Sequence, residues 1–173
     1  MKERTRHLLD SLARFERLVS VLAFVLLVAV VFLDVASREI TGTGVHWALQ
    51  IGVYANLVVV MLGLGIASAD GAHLRPRFAD RWLPAHWEPV LVHAQEALTG
   101  LFFLGFALVG AVVVNETREL AERAPVLGNA VWPLQAIIPL VFALAALRHL
   151  AYAFWPDLRP RPTPTFGGGT DAA

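Results

Sequence analysis

The chain contains no cysteine in its 173 residues, which excludes disulfides, iron–sulfur clusters and thiolate metal sites. Charge is scarce as well. Asp, Glu, Lys and Arg make up 16% of the residues, against roughly 25% in a soluble domain. The charge present is balanced, with 14 basic and 14 acidic residues, so nothing points to a nucleic-acid partner. No glycine-rich loop leads into a helix with a following Lys, so a phosphate cradle is absent, and no HExxH pair offers a zinc site. Ser11, Ser20, Ser37 and Ser68 lack the context of a nucleophile elbow. These absences give no catalytic residue, no metal and no cofactor, and the chain is expected not to be an enzyme.

Long apolar runs are what the chain does have. Hydrophobic residues make up 57% of it, with a mean hydropathy of +0.60. A membrane-spanning helix needs about 20 mostly apolar residues. Four stretches free of Asp, Glu, Lys and Arg approach or exceed that length: Leu18–Leu33, Ile40–Ala69, Ala97–Asn115 and Ala124–Leu147. They predict an all-α membrane protein with four transmembrane helices over about 17–37, 45–69, 89–115 and 131–155, leaving no room for a soluble domain. The first stretch is followed by Asp34, Arg38 and Glu39 with no small-residue cleavage pattern, so it is expected to be a retained helix. Residues 156–173, rich in Pro, Gly and Thr, are expected to form a disordered cytoplasmic tail.

Orientation follows from the distribution of Lys and Arg in short connecting segments. Lys2, Arg4, Arg6, Arg14 and Arg17 precede the first span, Arg75, Arg77 and Arg81 fall in the second connection, and Arg148, Arg159 and Arg161 mark the C-terminal side. The opposite face holds only Arg38, Arg118 and Arg123. The imbalance predicts both termini and the 70–88 loop in the cytoplasm. Within residues 1–16, Leu8, Leu9, Leu12 and Phe15 share a helical face. This segment reads either as an amphipathic helix lying on the inner membrane surface or as a cytosolic extension of the first span. Trp47 and Trp132 sit where interfacial aromatics belong at the outer face, and Trp82, Trp87 and Trp155 at the inner one. Pro133 suits the first turn of its helix. Pro139 is expected to kink the fourth helix or loosen its outer end.

Polar residues in the spans are few. Asp34 and Arg38 are four apart and share a helical face; they read as a clasp between helices or subunits, or as an interfacial pair reached by snorkelling. Gln50 and Asn56 read as packing glue between helices, and Gly63 with Ala67 and Ala107 with Ala111 permit close helix contact. His93 and His149 fall at one depth and raise a second reading, a haem-bearing membrane anchor, beside the plainer one of interfacial polar side chains. A third reading is a purely structural anchor of another complex. Transporters that bind their own substrate usually show broken helices and convergent polar groups at the midplane. This chain has neither feature and no internal repeat.

The ordered set formed by Asp34 and Arg38, Trp47 and Gln50, Gly71-Ala72-His73-Leu74-Arg75, Leu83-Pro84, Trp132-Pro133, Pro139 and Leu147-Arg148 resembles the small membrane subunit (DctQ-type) of tripartite ATP-independent periplasmic, or TRAP, transporters, over about residues 15–155. The chain departs from that pattern in carrying Gln50 where Glu is common, and Pro76 and Arg77 where an apolar residue and Asp are common. The resemblance implies a bacterial inner-membrane protein working with two partners, a large membrane subunit and a periplasmic substrate-binding protein. It implies sodium-driven uptake of organic acids, with this chain enlarging the fixed scaffold of the large subunit. Asp34, Arg38, Trp47, Gln50, His73, Arg75, Trp132 and Pro133 become the expected interface residues. The outer loops, 38–46 and 116–130, become expected docking points for the binding protein.

Overall fold

A computed structural model describes residues 2–69 and 88–155. Helix α1 covers Lys2–Thr41, α2 Ala48–Ala69, α3 Glu88–Glu119, α4 the single turn Trp132–Gln135 and α5 Ile137–Phe154. Among the described residues, four segments are long and apolar enough to cross a membrane: Arg6–Thr41, Ala48–Ser68, His93–Glu119 and Trp132–Phe154, the last joining α4 to α5. The four expected spans are therefore present as helices. His73, Arg75, Trp82 and the tail lie outside the described residues.

Helix boundaries differ from those expected, because a charged residue ends a hydropathy run without ending a helix. At 40 residues, α1 is about 60 Å long, twice a hydrocarbon core of about 30 Å. It runs unbroken from Lys2, so residues 2–16 are continuous with the first span and not a separate element. Its end is set at Gly42, which adopts φ 75 and donates its N–H to the Arg38 carbonyl at 3.0 Å. That left-handed position is one glycine occupies without a Cβ penalty. Helix α3 likewise continues through Asn115, Glu116, Thr117, Arg118 and Glu119. It closes in a Schellman motif: the Ala121 N–H reaches the Arg118 carbonyl at 3.1 Å, the Glu122 N–H reaches that of Thr117 at 3.2 Å, and Ala121 takes φ 51. Pro133 falls in the first turn of α4. The break between α4 and α5 has its cause at Pro139, which has no N–H to offer the Gln135 carbonyl one turn earlier.

Packing orders the helices α1, α2, α5, α3, each against the next. One core cluster joins Met61, Leu62 and Val141, flanked by Leu57, Ile138 and Phe142, and a second joins Phe103, Ala145 and Ala146. The ring of Phe142 stacks on Phe103 with centroids 6.0 Å apart, part of the α3–α5 contact. Outside this thin core the helices present large apolar side chains outward, including Phe24, Phe32, Phe102 and Val109. Exposed leucine and phenylalanine on this scale would aggregate a soluble protein. In a bilayer they meet a solvent as apolar as themselves.

Candidate functional site

Polar side chains gather at the two ends of the bundle. One end carries the short connections 42–47 and 120–131, and the residues expected at the interface concentrate there. Arg38 Nη2 lies 2.8 Å from Asp34 Oδ2, so the pair is made within α1. Asp34 also accepts the Val45 N–H at 2.8 Å through Oδ1, and the Ser37 hydroxyl donates to the Thr43 carbonyl at 2.9 Å. Together these bonds fold residues 42–47 back against the end of α1. The Arg38 side chain remains 65% exposed while that of Asp34 is 19% exposed.

Gln50, on the first turns of α2, ties that helix to the 120–131 connection. Its Oε1 accepts the backbone N–H groups of Val126 and Leu127 at 3.1 and 3.0 Å. Its Nε2 donates to the Tyr54 hydroxyl at 2.7 Å. The 120–131 connection is shaped to offer those two N–H groups: Arg123 and Ala130 pair as an isolated antiparallel bridge, and Arg123 Nη1 donates to the Gly128 carbonyl at 3.0 Å. Arg118 stands 5.7 Å over the Trp132 ring, in cation–π range. Trp47 directly precedes α2, its carbonyl taking the Ile51 N–H at 3.1 Å, and Pro133 is exposed beside Trp132. Six of the eight expected residues, Asp34, Arg38, Trp47, Gln50, Trp132 and Pro133, thus share this end. A groove of about 320 Å³ runs from it between α1 and α2, floored by Leu27, Val31 and Gly52, with Asp34, Arg38 and Asn56 among its lining.

The other end holds a network that sequence reasoning missed. Arg148 and His149, adjacent on α5, between them reach all three other spans. Arg148 Nη2 meets Glu16 Oε2 of α1 at 3.0 Å, and Nη1 donates to the Gly65 carbonyl of α2. His149 Nδ1 meets Glu96 Oε2 of α3 at 2.7 Å, and its Nε2 lies 2.9 Å from Ser68 Oγ of α2. Glu16 and Arg148 are each 1% exposed, Ser68, Glu96 and His149 at most 5%. Gly65 lies tight against this contact: a Cβ there would lie 2.8 Å from Glu16 Oε1, so the carboxylate would have to shift. The signal available in the sequence was the Arg148-His149 pair interrupting the last apolar run, with Glu16 and Glu96 at the matching edges of two other runs.

These contacts bear on the haem reading. Both ring nitrogens of His149 are engaged by protein groups, and the His93 side chain is exposed. Ligation by His149 would have to break its contact with Glu96 or with Ser68. Among the described residues, no three His, Asp or Glu side chains converge as a metal-binding set.

Fold and polar geometry define a four-span membrane protein with three ion pairs at its ends and a middle free of charged side chains among the described residues. Residues 27–159 match the DctQ component of the tripartite ATP-independent periplasmic transporters; the chain belongs to this family and is the small subunit of such a transporter. That is a family of transport components and not of enzymes. No curated protein matches the chain significantly.

Proposed function

We propose that the chain acts as a fixed scaffold in the bacterial inner membrane for the large subunit of a sodium-driven organic-acid transporter. The observation that carries this reading is the distribution of polar groups. Among the described residues, the pairs Asp34–Arg38, Glu16–Arg148 and Glu96–His149 lie at the two ends of the bundle, and the stretches between those ends, 18–33, 48–69, 97–115 and 137–147, carry no Asp, Glu, Lys or Arg. A polar substrate needs convergent polar groups at mid-depth, so the path belongs to another subunit. The continuous apolar flanks are the surface such a subunit and the surrounding lipid would cover.

The excess of Lys and Arg on the terminal side supports cytoplasmic termini. The 42–47 and 120–131 connections then face the periplasm, where the binding protein would meet the surface stabilised by Gln50. His73 and Arg75 fall on the cytoplasmic side. Trp47 and Trp132 mark the outer boundary and assist contact with the large subunit. The direct test is co-purification: this chain, tagged and expressed with the large subunit of its transporter, is expected to elute with it as a stoichiometric complex in mild detergent. Separate elution of the two chains would refute the reading.

A further inference from the structure

Helix α2 has three sides. One packs on α1 and one on α5. The third is uncovered and carries Leu49, Val53, Asn56, Val60, Gly63 and Ala67. Their spacing alternates four and three residues, the seam of a left-handed helix pair. The polar content of this seam sets it apart from the other uncovered faces. Asn56 is exposed in the middle of a span and makes no hydrogen bond within the described residues. A lipid tail offers an amide neither donor nor acceptor, so an amide at this depth calls for a protein group opposite it. The outward face of α3, with Leu98, Phe102, Val109 and Val112, has no such need and is served by lipid.

Charge adds a second requirement at the periplasmic end of the seam. Arg38 uses Nη2 on Asp34 and is 65% exposed, which leaves donors facing outward beside the groove that ends at Asn56. A cation at a membrane boundary favours a carboxylate or a carbonyl-rich helix end. We propose that this seam docks one transmembrane helix of the large subunit, which places a hydrogen-bonding side chain opposite Asn56 and an acidic side chain or its carbonyl end against Arg38. Gly63 and Ala67 allow that helix to approach closely toward the cytoplasmic half. The proposal rests on the scaffold reading above and adds the face through which it works.

The test uses the assembled transporter. A photoreactive benzophenone side chain is placed at Val53 or Val60 on the seam, or at Phe102 or Val109 on α3, in the full chain expressed with the large subunit. Adducts to the large subunit from Val53 and Val60, with none from Phe102 or Val109, are the expected result. Adducts from the α3 positions alone would overturn the choice of face and leave the scaffold reading intact. Seam adducts to a second copy, or none while the large subunit still co-purifies, would overturn the proposal in favour of self-association or lipid. Failure of the unmodified chains to co-purify would instead refute the scaffold reading itself. Asn56→Leu is expected to lower recovery of the large subunit about threefold, the usual weight of one polar contact between membrane helices, and Asn56→Gln to restore part of it. Undiminished recovery with Asn56→Leu would overturn the role given to the amide.

Discussion

Glu16→Gln separates the charge of the buried pair from its volume. In the native chain Glu16 and Arg148 face each other at 3.0 Å with 1% exposure each. The substitution leaves the shape nearly unchanged but removes the counter-charge, so the buried guanidinium is left with neutral acceptors only, the introduced amide oxygen and the Gly65 carbonyl. Removing one member of a buried ion pair costs about 3–5 kcal/mol, because the other charge stays buried without compensation. Replacing both members by apolar groups of similar volume is often neutral or better, since the desolvation penalty of two ions disappears along with their attraction. Arg148→Met combined with Glu16→Leu is therefore expected to lie within about 1 kcal/mol of the native chain, well above either single variant. The assay is a denaturant titration of the purified chain in mixed micelles, followed by circular dichroism, with all four members of the cycle compared. A loss below about 1 kcal/mol for Glu16→Gln, typical of an exposed pair, would refute the reasoning. So would a double variant as damaged as Glu16→Gln alone.

Three further outcomes follow from the same geometry. Gln50→Leu removes the acceptor of two backbone N–H groups, each worth about 0.5–1.5 kcal/mol. Amide exchange at Val126 and Leu127 should then accelerate about tenfold, whereas Gln50→Glu keeps the acceptor and should leave exchange near native; equal acceleration in both would contradict the assignment. Gly65→Ala places a methyl group against Glu16 Oε1 and should cost about 1–3 kcal/mol by overpacking, read in the same titration, with a native-like midpoint counting against the contact. At the other end, Asp34→Ala should destabilise the chain by about 1 kcal/mol through the lost bond to Val45. Arg38→Ala should cost less than about 0.5 kcal/mol, because its partner lies one turn away on an exposed helix face; the reverse order would show that the ion pair dominates.

The four spans were legible because the bilayer imposes one rule on every residue within it: about 20 apolar positions in a row, readable without knowing any neighbour. Helix ends obeyed a different rule. Charges at Asp34 and Glu116 stop an apolar run, yet a helix continues until the backbone itself turns, at Gly42 and Ala121. Glycine at position 42 suits a left-handed turn, whereas nothing about Ala121 marks one, since alanine seldom takes that conformation. Asp34 and Arg38 could be paired from their spacing alone. Gln50 could be singled out, but its partners Val126 and Leu127 are backbone groups more than seventy positions away, and no side-chain pattern marks them. Glu16 and Arg148 were hidden for a similar reason. Counted by sign, each belongs to an ordinary charged flank; only the packing of α5 between α2 and α3, with α1 within reach, makes them a buried pair.

The polar groups at the ends of the bundle keep four helices in one arrangement, and the account's claim is that this fixed arrangement supports transport carried out by another chain. Uptake in proteoliposomes tests that claim most directly. The large subunit and its binding protein are reconstituted with and without this chain, this chain is reconstituted alone with the binding protein, and a sodium gradient is imposed. The account predicts accumulation of the binding protein's ligand only when both membrane subunits are present. Sodium-driven uptake by the large subunit without this chain, or by this chain without the large subunit, would contradict it.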